Sequence, residues 1–455
     1  MVRLNKDAYR KIFDRVLADI KPSDAEAADI TYRVNELTEI LAGIVPKNVE
    51  LRVAGSIARG TNLKGNGDVD IFLLFDKSVG REKAVRLGLE YGKKVLQSKK
   101  GHYEIKYAEH PYVRLYVDSL GMKADIVPAL KIDNINEMGT TVDRTPLHTE
   151  FINSHLTSMQ KDHVRLLKYL LRSYGIYGAE VKTNGFSGYL CELLIHHYGS
   201  IQDLMSSAVK FRLPMVIEPR QRNESNSKET ASRFNSQFVV IDPVDPDRNV
   251  AAGVSLESLS KFVLVARKFV QKPDIKLFHG IGFSQAQARG MVKKLSDSGL
   301  DTFLLLSRVP DKSEDVIYPQ LRKVNGQISK CLQQEGFSVY FSAQIISGRV
   351  GAIFMAAPKQ RLVSRLLKGP TVFIPDASDA FIKKHRNALG FPIIDSEIYA
   401  LEKARLQSVE DVLRSLPRSV LVHKDINLSK MRLLVNKVPK EYSVLLYSEL
   451  QKKFL

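Results

Sequence analysis

Apolar residues recur along the first part of this chain with two different spacings, which predict helices and strands in turn. A Ser-x-x-Glu capping box at Ser23 opens a stretch of helical spacing. Its apolar stripe consists of Ile30, Val34, Leu37 and Leu41. Residues 81–97 have the same spacing, whereas residues 103–107 and 113–117 alternate between apolar and polar and predict a hairpin. A further strand is predicted over residues 122–130.

The middle of the chain is mostly helical in pattern. Residues 148–174, 185–199 and 255–271 carry apolar positions at helical spacing, and the last of these segments ends before Pro273, a plausible domain boundary. Residues 220–237 are polar, and a strand-like apolar run follows them at once. We therefore expect a solvent-exposed loop or hairpin tip there, not a linker between domains.

The C-terminal third has a strand, helix, strand, strand pattern. The strands are predicted at 302–309, 338–346 and 350–357, the helix at 314–336, and a hairpin turn at 347–349. This order is typical of a small ferredoxin-like α/β sandwich, a layout that often holds RNA.

The length of the chain indicates how many domains it has, and its charge indicates what kind of partner it binds. A chain of 455 residues is too long for one core and suggests roughly three domains. The formal net charge is +18, and residues 267–455 contain 31 Lys and Arg against 17 Asp and Glu, which gives +14. This excess indicates a polyanionic partner, most simply nucleic acid.

The densest basic segments are residues 358–370 and 379–390. Within the second, we predict that Lys383, Lys384 and Arg386 bind RNA from one helix. The alternative, a solvated helix face without a ligand, stays open, because runs of charge are common on protein surfaces.

Other features exclude whole classes of protein. Cys191 and Cys331 are the only cysteines, which excludes a disulfide framework and a cysteine-based zinc site. No apolar run has transmembrane length, and the N-terminus lacks the apolar core of a signal peptide. We therefore expect a cytoplasmic protein without membrane contact. A homodimer is compatible with the sequence, which contains no readable coiled-coil pattern.

The candidate chemistry lies in residues 51–75, LRVAGSIARGTNLKGNGDVDIFLLF. Gly55 and Ser56 form a turn whose backbone N–H groups and hydroxyl suit phosphate oxygens. Asp68 and Asp70 are two residues apart on a predicted strand, so both point to one face. A divalent cation is the usual reason for like charges to lie so close. The alternative is an ordinary turn between strands with a solvated acidic end.

Asp125 is a third candidate, since it lies among apolar residues of a predicted strand. A buried carboxylate is costly unless it is paired or bound to metal, although a surface position at a strand end is also compatible with the pattern. Three carboxylates suit nucleotidyl transfer, in which two cations activate the attacking hydroxyl and neutralise the leaving pyrophosphate. Hard oxygen ligands favour Mg²⁺.

A Gly-Ser turn followed by Asp-x-Asp on a strand resembles the signature of the polymerase-β-like nucleotidyltransferases. Further motifs resemble those of the archaeal-type (class I) CCA-adding enzymes, in order from residue 51 to about 260. They are RTPLH, VRLLKYL, IYGAE, GFSGYLCELL and VIDPVDPDRNVAAGVSLESL. The resemblance implies an α+β multidomain protein. It would comprise a nucleotidyltransferase head with a mixed sheet and helices (1–145), a helical neck (146–265), and a ferredoxin-like, tRNA-binding body with a tail (266–455).

The resemblance also implies roles for single residues. The metal ligands would be Asp68, Asp70 and Asp125, where many relatives have Glu at the first position. The triphosphate would bind Gly55, Ser56 and Arg59, and the sugar and phosphates would contact Thr145, His148, Lys168 and Tyr177. Each has a simpler alternative, namely a solvated helix face for Lys168, core packing for Tyr177, and a ligand-free helix start for His148.

Arg248 lies where the family presents an arginine to the base. A guanidinium has several donors in one plane, and cytosine O2 and N3 and adenine N1 are acceptors, whereas the matching ring nitrogens of uracil and guanine carry hydrogens. Arg248 could therefore favour CTP and ATP over UTP and GTP. The alternative is that Arg248 braces its loop by pairing with Asp245 or Asp247.

The implied activity is addition of C, C and A to the 3′ end of tRNA from CTP and ATP, with Mg²⁺ and without a nucleic-acid template. Two alternatives are also compatible with the sequence. One is a poly(A) polymerase or terminal uridylyltransferase of the same superfamily, and the other is a non-catalytic RNA-binding protein.

Overall fold

The computed structural model describes residues 6–65, 68–107, 110–132, 135–137, 140, 142–221, 223–279, 285–359, 364–403 and 407–451. The chain forms two compact units, residues 1–179 with 183–280, and residues 180–182 with 281–455. The predicted head and neck both fall in the first unit, and the division into three domains stays a prediction. No helix in the described ranges is long and apolar enough to cross a membrane.

The first unit combines a five-stranded sheet with a helical bundle. In chain order its elements are α1 (Lys6–Ile20), α2 (Asp24–Ile44), β1 (Glu50–Ala54), α3 (Gly55–Ala58), β2 (Asp68–Phe75), α4 (Arg81–Lys94), β3 (Gly101–Tyr107), β4 (Pro111–Val117), β5 (Met122–Leu130), α5 (Thr145–His155), α6 (Ser158–Ser173), α7 (Gly188–Tyr198), α8 (Ile201–Ala208), β6 (Met215–Glu218), β7 (Asn223–Ser225), α9 (Lys228–Arg233), β8 (Phe238–Val240), α10 (Leu256–Gln271) and α11 (Lys276–His279).

The head sheet has the strand order β1-β2-β5-β4-β3. Strands β2 and β5 are parallel and the other neighbours are antiparallel, so the sheet is mixed, as predicted. Helices α2 and α4 cover one face, where the predicted stripe residues Val34, Leu37 and Leu41 are buried. The capping box of Ser23 with Glu26 is present. The predicted hairpin and the strand at 122–130 are confirmed.

Strand β2 shows why the carboxylates face away from these helices. Its odd-numbered residues, among them Val69 and Ile71, pack with α2 and α4. Its even-numbered Phe72 joins a smaller cluster with Val127 on the opposite face. Because side chains alternate along a strand, Asp68 and Asp70 belong to this second face.

The helical part has its own core, formed by α1, α5–α8, α10 and α11. Helix α1 belongs to this core, where Tyr9 Oη donates a hydrogen bond to the carbonyl of Phe269 (3.0 Å). The helix predicted over 148–174 is two helices, because Leu156 is extended and Thr157 starts α6 with a second capping box. The polar segment 220–237 contains hairpin strand β7, paired with β6, and also the short helix α9.

The second unit contains the predicted ferredoxin-like sandwich. Its elements are α12 (Gln285–Asp297), β9 (Leu300–Arg308), α13 (Glu314–Gln334), β10 (Phe341–Ser347), β11 (Val350–Pro358), β12 (Ser364–Thr371), α14 (Pro375–Lys384), β13 (Ile393–Ile394), β14 (Glu397–Lys403), α15 (Val409–Ser415), α16 (Arg418–Leu421), β15 (Val422–His423), β16 (Ile426–Asn427), β17 (Arg432–Val435) and α17 (Lys440–Gln451).

The main sheet of this unit has the order β10-β11-β9-β17, with all neighbours antiparallel. This is the ferredoxin-like order, in which the first strand lies between the third and the fourth. The fourth strand comes late in the chain, after an insertion that contains the three-stranded sheet β12-β14-β13 and helix α14. The predicted basic segment 358–370 falls partly outside the described residues, at 360–363.

Candidate active site

The register of the head sheet brings the three predicted carboxylates together. Asp70 on β2 and Asp125 on β5 are direct partners in the parallel ladder. Asp68 lies two residues before Asp70 on the same face, at the exposed start of β2. Asp125 is buried, and Asp70 is half-buried. The strand spacing predicted the first pair, whereas only the pairing of β2 with β5 places Asp125 beside it.

This proximity has an electrostatic cost. Burial, followed by the negative charge of Asp125, raises the pKa of Asp70 to about 6, and the positive charge of Arg59 only partly opposes the shift. The ionised form of Asp70 is therefore disfavoured until a positive charge reaches the site. A cation bound among these oxygens would remove the repulsion, so the three residues fit a divalent metal ion.

Asp125 already has a cationic partner in the protein. Arg114 on β4 donates from Nε to Oδ1 and from Nη2 to Oδ2 of Asp125, both at 2.7 Å. Across the described ranges, no three His, Cys, Asp or Glu side chains form a ready metal centre. Cation binding would thus require the carboxylates to turn toward a common point, and Asp125 to share or release Arg114.

The shifted pKa of Asp70 predicts a pH dependence. A carboxyl whose pKa rises from 3.8 to about 6 on folding stabilises the fold below pH 4, and this contribution is lost as the pH rises through 6. Without metal, the free energy of unfolding of Asp70→Asn relative to the wild type should therefore increase between pH 4 and 7, by up to about 3 kcal/mol. Urea unfolding in the presence of a chelator measures this, and a pH-independent difference would contradict the assignment.

The Gly55–Ser56 turn touches the carboxylates. Gly55 has φ +77°, and a Cβ atom there would lie 2.1 Å from Oδ2 of Asp70. Only glycine therefore lets the backbone pass so close to the carboxylate while adopting a left-handed conformation. Ser56 follows in the single turn α3, so the predicted phosphate-binding backbone is adjacent to the predicted metal ligands.

Arg59 and Lys168 meet at a carboxylate that the sequence reasoning missed. Glu192 on α7 is fully buried, with Oε2 2.8 Å from Arg59 Nε and Oε1 3.4 Å from Lys168 Nζ. Thr61 Oγ1 donates to the same Oε1 (2.5 Å). Burial alone would raise the pKa of Glu192, but the charges of Arg59 and Lys168 hold it below its ordinary value. A single Glu within the apolar run GYLCELLI was the available signal.

Lys168 is therefore not on a solvated helix face, and that alternative is wrong. Its Nζ also donates to Oγ1 of Thr61 (3.0 Å), and burial lowers its pKa against the opposing charge of Glu192. Tyr177 lies close by, since a Cβ at Gly188 would be 3.3 Å from Tyr177 Oη and 3.6 Å from Lys168 Nζ. The start of α7 thus brings two of the predicted sugar- and phosphate-binding residues together.

A second buried carboxylate, Asp242, organises the other predicted nucleotide-binding residues. His148 Nε2 lies 2.9 Å from Oδ2 of Asp242, and Arg248 Nη1 donates to the same oxygen (2.9 Å). Tyr189, which the sequence reasoning missed, donates to Oδ1 (3.0 Å) and stacks on His148 with ring centroids 4.0 Å apart. Burial would raise the pKa of Asp242, but the interactions with His148, the backbone N–H of Val244 and Arg248 lower it to about 2.

The alternative pairing of Arg248 is corrected by these contacts. The side chain of Asp245 accepts a hydrogen bond from Arg144 Nη1 (2.8 Å), and that of Asp247 pairs with Arg233. The guanidinium of Arg248 pairs with Asp242 and with neither of these two carboxylates. Both Arg144 and Arg248 line a cavity of about 700 Å³. The other residues around this cavity are Ile135, Ala179, Gly185, Ser187, Phe234, Asp245, Asp247, Asn249, Val250, Ala252 and Gly253.

Helix α5 connects these groups. Thr145 is its first residue, His148 faces Asp242, and Thr149 Oγ1 accepts a hydrogen bond from Arg59 Nη1 (3.3 Å). Burial lowers the pKa of His148 despite the opposing charge of Asp242. His148 lies in the first turn of α5, and its ring is held in place by Asp242 and Tyr189. Its role toward a nucleotide stays a prediction.

The predicted RNA-binding residues lie in the second unit. Lys383 and Lys384 end helix α14, and Arg386 follows the helix, so the three do not share one helix as predicted. All three are exposed. His385 between them pairs with Glu402 (2.7 Å).

Comparison with known proteins supports the nucleotidyltransferase fold. Structures of the Cid1 poly(U) polymerase align with a TM-score of 0.50 and 17% sequence identity, and they cover 61% of this chain and 99% of the other. At this identity the likeness concerns the fold only. Members of the nucleotidyltransferase superfamily generally use divalent metal ions.

Three family models match successive parts of the chain. They are "Nucleotidyltransferase domain" over residues 34–148, "tRNA nucleotidyltransferase, second domain" over 162–279, and "CCA-adding enzyme, C-terminal domain" over 299–428. A CCA-adding enzyme of Methanocaldococcus jannaschii is 34% identical over 419 residues, covering 89% of this chain and 90% of that protein. One of Sulfurisphaera tokodaii is 35% identical over 413 residues, covering 89% and 91%. This chain belongs to the family of CCA-adding enzymes, the tRNA nucleotidyltransferases.

Proposed function

We propose that this protein adds C, C and A to the 3′ end of tRNA from CTP and ATP, releasing pyrophosphate, without a nucleic-acid template. The observation that carries the proposal is the in-register pair Asp70 and Asp125, with the Gly55 turn against Asp70. Carboxylates, a phosphate-binding turn and a basic unit are the parts that nucleotidyl transfer to RNA requires. A non-catalytic RNA-binding protein would have no functional reason to keep a carboxylate at Asp70, where burial and the charge of Asp125 disfavour its ionised form.

Asp68, Asp70 and Asp125 would hold Mg²⁺, whose hard oxygen preference they match. When bound, the metal would lower the pKa of the attacking 3′-hydroxyl and neutralise charge on the leaving pyrophosphate. The backbone of Gly55 and the hydroxyl of Ser56 would hold phosphate oxygens beside the carboxylates. The buried network of Arg59, Lys168 and Glu192 would keep that turn in position, because it joins the segment after the turn to α6 and α7.

The cavity between Arg144 and Arg248 would take the nucleotide base. Arg248 is 30% exposed and anchored at one nitrogen by the buried Asp242, so its guanidinium plane is held still for recognition of a planar edge. His148, at the same oxygen as Arg248, and Tyr189, at the other oxygen, also hold Asp242 and thus act as positioning residues.

Arg248→Ala should lose discrimination against UTP and GTP more than it loses triphosphate affinity. A hydrogen bond that involves a charge contributes roughly 1.5–3 kcal/mol, or about ten- to a hundredfold in selectivity. Arg248→Lys should not restore it, because an ammonium lacks the planar fork. Competition among the four triphosphates on a tRNA that ends before C75 or A76 measures the effect.

Arg233→Ala is the matched control, since Arg233 is an exposed arginine that pairs with Asp247, the residue directly before Arg248. It should leave selectivity unchanged. If Arg248 only braces the loop through Asp242, Arg248→Ala should reduce activity toward all four nucleotides equally, and that result would remove the base-reading role.

The activity itself is tested with tRNA transcripts that lack CCA, one labelled nucleotide at a time, followed by sequencing of the products. We expect two C additions from CTP and then one A from ATP. Long runs of A or of U would instead indicate a poly(A) polymerase or a terminal uridylyltransferase. A protein that binds tRNA and incorporates no nucleotide would be a non-catalytic RNA-binding protein.

The basic second unit would hold tRNA. If Lys383, Lys384 and Arg386 contact its phosphates, changing all three to Glu should weaken tRNA binding and reduce its dependence on salt concentration, because fewer counterions are released. Nucleotide affinity should be unchanged. Filter binding across a range of salt concentrations measures the tRNA affinity and its salt dependence. Unaltered tRNA affinity would mean that these residues form only a solvated surface.

A cytoplasmic location and a homodimer likewise stay predictions.

A further inference from the structure

A row of side chains crosses the head sheet from Asp68, which is the one member of the row that the proposed function already uses. The register pairs Asp68 with Lys123, Lys123 with Tyr116, and Tyr116 with His102, so the row spans β2, β5, β4 and β3. The next row along the sheet is Asp70, Asp125, Arg114 and Glu104. Because residues two apart on a strand share a face, both rows lie on the face that carries the candidate metal ligands.

The three residues beyond Asp68 form a stack, here called the platform (His102, Tyr116 and Lys123). The rings of His102 and Tyr116 are nearly parallel, with centroids 4.3 Å apart and an interplanar angle of 7°. Lys123 Nζ lies 5.6 Å from the centroid of the Tyr116 ring. Since β3 and β5 flank β4, the imidazole and the ammonium approach Tyr116 from opposite sides.

The platform faces solvent. His102 and Lys123 are exposed and Tyr116 is half-buried. Strand β3 is the edge of the head sheet, and among the described residues no further strand of this sheet lies beyond His102. The nearest carboxylate of the next row, Glu104, already pairs with Lys106 (2.5 Å) and accepts a hydrogen bond from Tyr116 Oη (3.3 Å). Repulsion of an incoming phosphate by Glu104 is therefore reduced.

The chemistry of the platform matches single-stranded nucleic acid. An aromatic face stacks on any base, and a neighbouring ammonium binds the phosphate that precedes or follows it. Adjacent strands are about 4.8 Å apart, so the row extends roughly 14 Å from Asp68 to the edge of the sheet. A chain whose 3′-hydroxyl reaches the carboxylates could thus lie along the row.

We propose that the platform binds the unpaired 3′ end of the RNA substrate, directly behind the reacting hydroxyl. Lys123 contacts a backbone phosphate next to Asp68, and His102, supported by Tyr116, stacks on an unpaired base. The proposal rests on the proposed function, since it takes the RNA 3′ end to be the acceptor. It assigns the head sheet a part in holding that acceptor.

The test compares two forms of one tRNA, one that ends in the two C residues and one that ends at the last base pair of the acceptor stem. His102→Ala should weaken binding of the first form about tenfold and leave binding of the second unchanged. Lys123→Ala should do the same and also lower the salt dependence by about 0.7, the contribution of one single-strand phosphate. Lys83→Ala, an exposed lysine on α4 at the opposite face, is the control and should change neither form.

Two outcomes would overturn the proposal. Equal weakening of both forms would place the contact on the paired stem, and unchanged affinity with a lower free energy of unfolding would mean that the row only supports the sheet through cross-strand pairs. Tyr116→Phe keeps the ring and removes the bond to Glu104, so it should bind like the wild type. A wild-type protein that incorporates neither CTP nor ATP would overturn the proposed function and the platform together, whereas normal incorporation with unaffected variants would overturn the platform alone.

Discussion

Replacing Asp68, Asp70 or Asp125 with Ala should abolish nucleotide incorporation while leaving tRNA affinity nearly unchanged. Loss of a metal ligand removes several kcal/mol of stabilisation that is present only in the transition state, so we expect incorporation to fall by roughly a thousandfold or more. RNA affinity depends mainly on basic groups elsewhere. Single-turnover incorporation with saturating tRNA and CTP, alongside filter binding of the same tRNA, measures the two quantities separately.

The structure also separates this loss from unfolding. Asp70 carries a charge that its surroundings disfavour, so Asp70→Ala should leave the metal-free fold as stable as the wild type at pH 7, or more stable. Asp125→Ala differs, because it leaves Arg114 without its bidentate partner. Asp118→Ala, an exposed carboxylate just after β4, is the control and should retain activity. Full activity of any of the three variants would exclude that residue from the metal site.

Glu192→Gln should lower the free energy of unfolding strongly, although the two side chains have nearly the same shape. The amide keeps the shape of the side chain but removes the charge that Arg59 and Lys168 both face. Breaking a buried ion pair by removing one partner typically costs about 3–5 kcal/mol, because an uncompensated charge stays buried. Here two cations lose their counterion, so we expect an effect near the upper end of that range.

Urea unfolding at pH 7 measures this cost. Glu150→Gln is the matched control, since Glu150 is exposed on α5 in the same unit, and its effect should stay within about 0.5 kcal/mol. A Glu192→Gln protein within about 1 kcal/mol of the wild type would mean that water or rearrangement compensates the two cations. It would also weaken the view that this network positions the Gly55 turn.

Much of the fold could be predicted because its patterns are local. The capping box at Ser23, the hairpin β3–β4 and strand β5 depend on residues within a few positions of one another, where spacing reports burial directly. The order of β9, α13, β10 and β11 is local in the same sense. The break between α5 and α6 was missed, since the apolar period continues across Leu156 while the backbone there is extended.

The residues of the candidate site likewise divide into those that local sequence patterns predict and those that they do not. Sequence alone determined that Asp68 and Asp70 share one face, that a Gly-Ser turn precedes them, and that residues 267–455 are strongly basic. Spacing along one strand and residue type suffice for those statements. The apolar strand around Asp125 made that residue a candidate as well, and the family resemblance added His148 and Arg248. Neither source gave the partners of these residues inside the protein.

Only the tertiary structure decided those partners. Glu192 for Lys168, Asp242 for His148, and Arg114 for Asp125 each join residues on different elements. Helix α1 joining the core of the helical part, and β17 completing the second sheet, are equally remote in sequence. A buried charge must find an opposite charge wherever the fold brings one within reach. Which partner a buried charge finds depends on packing across the whole unit. The local spacing of apolar and polar residues contains no information on that packing.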